Sequence, residues 1–107
     1  MRIIKRFFML KICKVNDIPI NKGKEFNVNG IKIAVFNVNG KFYAIEALCR
    51  HQDGPLADGI LKGEVIECPW HFWHYNVRTG ELLDFLKNVK LTTFNVYVKG
   101  DELYIEL

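Results

Sequence analysis

Hydrophobic and polar positions alternate with a period of two over much of this chain. The clearest stretch is EFNVNGIKIAVFNVNGKFYAIEAL, residues 25–48. Phe42, Ala44 and Glu46 alternate there with Tyr43, Ile45 and Ala47, so successive side chains point to opposite faces of a strand. Two Asn-Gly pairs interrupt the pattern, Asn29-Gly30 and Asn39-Gly40. A two-residue type I′ turn needs positive φ at both central positions, which Asn and Gly adopt most readily. The segment therefore predicts three antiparallel strands at 24–28, 31–37 and 41–48.

The same signals extend to both ends. An opening strand is expected at 8–15, a short one at 64–67 leading into Cys68, and a closing hairpin at 92–99 and 102–107 about Gly100-Asp101. Tyr75-Asn76-Val77 meets a turn at Arg78-Thr79-Gly80, and Asn16 to Pro19 suits one helical turn. No segment carries the period of a long helix. The expectation is an all-β sandwich or barrel of about eight to ten short strands. Two loops at one end would form a small subdomain.

Composition refines this picture in a few places. The chain has 107 residues, 50% of them hydrophobic, enough for a single domain with its own core. Residues 1–8 read as a possible N-terminal extension, with Met9 a second candidate start. The net charge of +3 is dispersed apart from Lys5, Arg6, Lys11 and Lys14. No aromatic-interleaved basic stripe accompanies them, which argues against nucleic acid. No apolar run approaches bilayer length, and the uncharged stretch Phe7 to Leu10 is too short for a signal-peptide core. The chain therefore reads as a cytoplasmic monomer without membrane insertion.

The chemistry is concentrated in CRHQDGPLADGILKGEVIECPWH, residues 49–71. It begins with Cys49 and His51 and ends with Cys68 and His71, holding two of the three cysteines and two of the three histidines. Each pair follows a strand and sits on a loop containing glycine or proline. Thiolates and imidazoles together suit zinc, iron–sulfur clusters or copper. A Cys₂His₂ zinc site in an interaction module is one candidate, although zinc pairs more often repeat like ligands.

Cys-x-His, sixteen intervening residues and Cys-x-x-His resemble the Rieske [2Fe–2S] signature. The flanking stretches CRHQDGPL and CPWHFWHYNVRTGE resemble the two cluster loops of Rieske-type ferredoxins. The likeness runs over essentially the whole chain. It implies one [2Fe–2S] cluster per chain, with Cys49 and Cys68 on one iron and His51 and His71 on the other. With two thiolates and two neutral imidazoles the oxidised centre is neutral, whereas four thiolates leave it doubly anionic. The neutral centre accepts an electron more readily.

The resemblance implies a one-electron carrier between a reductase and a terminal oxygenase or other acceptor, not an enzyme by itself. The other assembly it allows is a small Rieske subunit of an oxygenase or nitrite-reductase-type complex. Several positions depart from the family. Phe72 stands where most members have glycine, so a positive φ there would strain the backbone. Gly54 and Trp70 replace the cysteines that form a disulfide in respiratory members. Trp73 replaces a serine that donates to a cluster sulfide, whereas Tyr75 matches a tyrosine that bonds a ligating sulfur. Fewer donors place the chain in the lower-potential class. DFLKNVKL, residues 84–91, replaces the proline-rich third loop.

The remaining residues have plainer roles. His74 reads as a partly exposed loop histidine and Cys13 as a small buried hydrophobe. Trp70, Phe72 and Trp73 form either a partner-docking patch or apolar cover over the centre, and cover is the favoured reading. Gly54 and Pro55 shape the first loop.

Overall fold

The computed structural model describes residues 9–70, 72–84, 86 and 88–107. The possible extension at 1–8 lies outside them, as does the predicted ligand His71. Nine strands are present among the described residues: β1 (Met9–Lys14), β2 (Gly23–Val28), β3 (Ile31–Val38), β4 (Lys41–Glu46), β5 (Ile60–Lys62), β6 (Val65–Glu67), β7 (His74–Asn76), β8 (Thr93–Lys99) and β9 (Glu102–Glu106). Short 3₁₀ turns occur at Val15–Asp17 and Leu56–Asp58. The first answers the helical turn expected near Asn16. The second and β5 were not foreseen.

Six strands form one antiparallel, nearly closed barrel-like sheet in the order β1-β9-β8-β4-β3-β2. The other three form a small sheet, β5-β6-β7. Both Asn-Gly turns take the expected conformation, with φ of 52° and 84° at Asn29-Gly30 and 51° and 91° at Asn39-Gly40. Their tightness sets the register, pairing Val28 with Ile31 and Val38 with Lys41.

The core is divided in two, and β3 supplies both halves. Ile33 and Val35 pack with Ile18, Val28, Ala44, Leu103 and Ile105 on one side. Ala34, Phe36 and Val38 pack on the other side with residues of the small sheet and the loops, including Leu56, Ile66, Tyr75 and both Cys49 and Cys68. This is why Ile33 to Phe36 are fully buried without a polar face. Asn37, the buried polar residue of this strand, is well bonded. Its Nδ2 donates to the Ile18 carbonyl at 2.8 Å, and its Oδ1 accepts from the Gly40 N–H at 2.8 Å. The second core half fastens the cysteine-bearing loops to the large sheet, so their positions inherit its rigidity.

Candidate metal centre

Two loops, 49–54 and 68–73, are built alike. In the first, the Cys49 N–H donates to the Gly54 carbonyl at 2.9 Å, and the Asp53 N–H returns to the Cys49 carbonyl at 2.9 Å. In the second, the Cys68 N–H donates to the Trp73 carbonyl at 2.7 Å, and the Phe72 N–H returns to the Cys68 carbonyl at 3.1 Å. The fifth residue of each is left-handed, with φ of 56° at Asp53 and 58° at Phe72. Aspartate tolerates that region; phenylalanine there costs about 1–3 kcal/mol. Each loop continues a strand pairing, through the Leu48–Pro55 bridge in one case and the Glu67–His74 pair in the other.

The loops bring Cys49 and Cys68 into one core half, 1% and 0% exposed. Neither is in a disulfide. The Tyr75 hydroxyl lies between the loops. It accepts from the Arg50 N–H at 3.1 Å and meets Cys49 Sγ at 3.4 Å. Burial first, then the contact with Cys49, pushes the phenol far above its usual range. It stays protonated, so it is the donor in this contact whenever Cys49 is a thiolate, as a metal ligand would be. Gly54 lets the loops close, because a Cβ there would lie 2.5 Å from Cys68 Sγ. His51 stands exposed on the outer side, its ring stacked on Trp73 at 4.6 Å between centroids.

Of the predicted site residues, Cys49 and Cys68 share one core half and His51 stands exposed on the first loop; no group of three metal-binding side chains is gathered among the described residues, and the adjoining Tyr75 meets Cys49 where the resemblance put it. Two soft sulfurs, an imidazole at the rim and a phenol aimed at one sulfur are a donor set that fits an iron–sulfur cluster.

Four expectations change. Trp73 packs against the core half that holds the cysteines, whereas Trp70 and Phe72, expected as cover, are 54% and 65% exposed. His74 is in β7, not a loop, and is half-buried between carboxylates. Its Nδ1 is 3.0 Å from Asp84 Oδ1 and its Nε2 3.1 Å from Glu67 Oε1. The Asp84 hydrogen bond raises its pKa most, burial opposes this, and Glu67 adds to the rise. Gly54 does more than shape a loop, since it sets the approach of Cys68. Cys13 is only half-buried where a buried residue was expected; it packs against the first core half, and burial pushes its thiol up.

The third loop is fastened without prolines. Asp84 Oδ2 accepts from the His74 N–H at 2.6 Å, and the Leu83 N–H donates to the His74 carbonyl at 2.8 Å. At the far end, Arg50 Nη2 donates to Glu46 Oε1 at 2.9 Å and to the Lys90 carbonyl at 3.3 Å. Glu46 also accepts from the Thr92 N–H at 2.6 Å. Burial raises the pKa of Glu46, but these donors outweigh it and leave a net lowering. Sequence reading missed this pair of fastenings. Asp84 and His74 are ten residues apart with no local pattern, and only the Glu46–Arg50 spacing of four hinted at a pair.

A nearly closed antiparallel sheet with a small three-stranded sheet presenting two like Cys/His loops defines a Rieske domain. The chain belongs to the Rieske [2Fe–2S] domain family, which it matches over residues 8–95. It is 34% identical over 96 residues to the 3-phenylpropionate/cinnamic acid dioxygenase ferredoxin subunit of Shigella boydii, covering 89% of this chain and 90% of the relative. It is 34% identical over 99 residues to the biphenyl 2,3-dioxygenase ferredoxin component of Rhodococcus jostii, covering 92% of each. Among solved structures it resembles the complex of reduced oxygenase and oxidised ferredoxin in carbazole 1,9a-dioxygenase. There the TM-score is 0.84 and the identity 37%, over 92% of each chain.

Proposed function

We propose that this chain is a Rieske-type ferredoxin, a one-electron carrier from a reductase to a terminal oxygenase. It would hold one [2Fe–2S] cluster through Cys49 and Cys68 on one iron and His51 and His71 on the other. The observation that carries the reading is the matched pair of loops, which sets two buried thiols about one phenol. Relatives named as ferredoxin parts of dioxygenases, matched over nearly their whole length, support the carrier role.

Such a cluster, when bound, takes up and returns one electron. The chain supplies the rest. Trp73 and the second core half exclude water from the cysteine side. Tyr75 offers its proton to the Cys49 sulfur, which favours the more negative, reduced state. His51 stands on the exposed side, where an acceptor can approach. No helix among the described residues is long and apolar enough to cross a membrane. We take the carrier to be cytoplasmic and to act as a monomer.

Purified protein should contain two irons and two acid-labile sulfides per chain. Cys49→Ser, Cys68→Ser, His51→Ala and His71→Ala should each abolish or badly disrupt cluster assembly, while Cys13→Ser should not. Stoichiometric zinc without iron would identify a zinc module instead. Recovery only within a larger oxidoreductase would identify a bound subunit.

A further inference from the structure

Phe72 is unfavourable in the isolated chain in two ways. Its backbone is left-handed at φ 58°, where the matching position of the first loop has an aspartate. Its ring is 65% exposed and so gains little from burial. Glycine or asparagine would satisfy the same backbone without strain. Outliers of this kind persist where a function needs the side chain.

Trp70, two residues earlier, is 54% exposed. Its Cβ and Cγ lie 3.5 Å from the position a Cβ on Gly54 would take, so its base rests on the first loop. The two aromatics flank position 71 at the end of the molecule that carries Cys49, His51 and Cys68. Electron tunnelling weakens steeply with distance. Whatever takes the electron must therefore cover these loops, and with them Phe72. An exposed aromatic at such a point gains its energy when a partner's pocket desolvates it.

We infer that Phe72, with Trp70 beside it, is the aromatic anchor by which this chain docks its acceptor. That acceptor is a terminal oxygenase with an apolar recess beside its own redox centre. The strained backbone at 72 is retained because the ring is needed in the complex. This rests on the carrier role proposed above and adds the residue that governs recognition.

The test uses the cluster-loaded protein and its Phe72→Gly and Phe72→Tyr variants. The probes are the purified oxygenase components of the carbazole, biphenyl and 3-phenylpropionate dioxygenases; the one reduced fastest by the unaltered protein is used. Phe72→Gly relieves strain and removes the ring. It should keep its iron and sulfide, melt at a higher temperature, and show a KM for oxygenase reduction raised about tenfold at unchanged kcat. Phe72→Tyr keeps the ring and should match the unaltered protein in both KM and melting temperature.

An unchanged KM in Phe72→Gly, with transfer by the unaltered protein intact, overturns the docking role and leaves the carrier role standing. A lowered melting temperature in Phe72→Gly overturns it too, because the ring would then serve the fold. If the unaltered, fully loaded protein reduces none of the three oxygenases, the oxygenase-directed carrier role falls and the docking role falls with it.

Discussion

Gly54→Ala should separate folding from cluster assembly. Gly54 is not among the residues with positive φ, so alanine fits its backbone and the perturbation is steric. The added methyl would lie 2.5 Å from Cys68 Sγ and 3.5 Å from the Cβ and Cγ of Trp70. Ordinary non-bonded contact is about 3.5–4.0 Å, so the sulfur or the loop must retreat by about 1 Å. Overpacking of this size costs about 1–3 kcal/mol, which a domain stable by about 5–15 kcal/mol can absorb. A metal site cannot absorb it, because ligand distances tolerate only about 0.2 Å. The variant should therefore remain folded by far-UV circular dichroism yet carry little iron and sulfide, or show an altered visible spectrum. Full iron content with an unchanged spectrum would refute the reasoning, since Cys68 would then not be confined by the facing loop. Complete loss of the fold would refute the magnitude.

Two further outcomes follow from the surroundings of the site. Tyr75→Phe removes the hydroxyl that meets Cys49 Sγ and would donate to it as a thiolate. A net hydrogen bond is worth about 0.5–1.5 kcal/mol, and a tenfold change in equilibrium corresponds to about 59 mV for one electron. The reduction potential should fall by about 20–60 mV in voltammetry; a rise would contradict the assigned donor direction. His74 has its pKa raised above the usual value of 6.5 by Asp84 and Glu67, so its contribution to stability is complete below about pH 6.5. That contribution is lost as pH rises through the elevated folded-state value. Urea unfolding of the unaltered protein and His74→Gln should show a gap that closes towards alkaline pH, and a gap independent of pH would count against the carboxylate clamp.

Local chemistry made much of this protein legible from its sequence. The two Asn-Gly turns hold because only a few residue types adopt consecutive positive φ, so Val28 to Ile31 and Val38 to Lys41 close wherever the hairpins lie. The pairing of Cys49 with His51 and of Cys68 with His71 stands in the sequence itself, and the family match over residues 8–95 spans it. Tertiary structure alone decided how the loops meet. The approach of Gly54 to Cys68 Sγ depends on packing between loops separated by β5 and β6. The fastening of Asp84 to His74 and of Arg50 to the Lys90 carbonyl depends on chain segments far apart in sequence. β3 shows the same division: its unbroken apolar run marks a buried strand, but not that its two faces serve two core halves. The outward stance of Trp70 and Phe72 also came only from the fold, since aromatic character fits cover and docking equally well. Turn and strand preferences act over a few residues, whereas burial and contact distance are sums over everything that packs nearby.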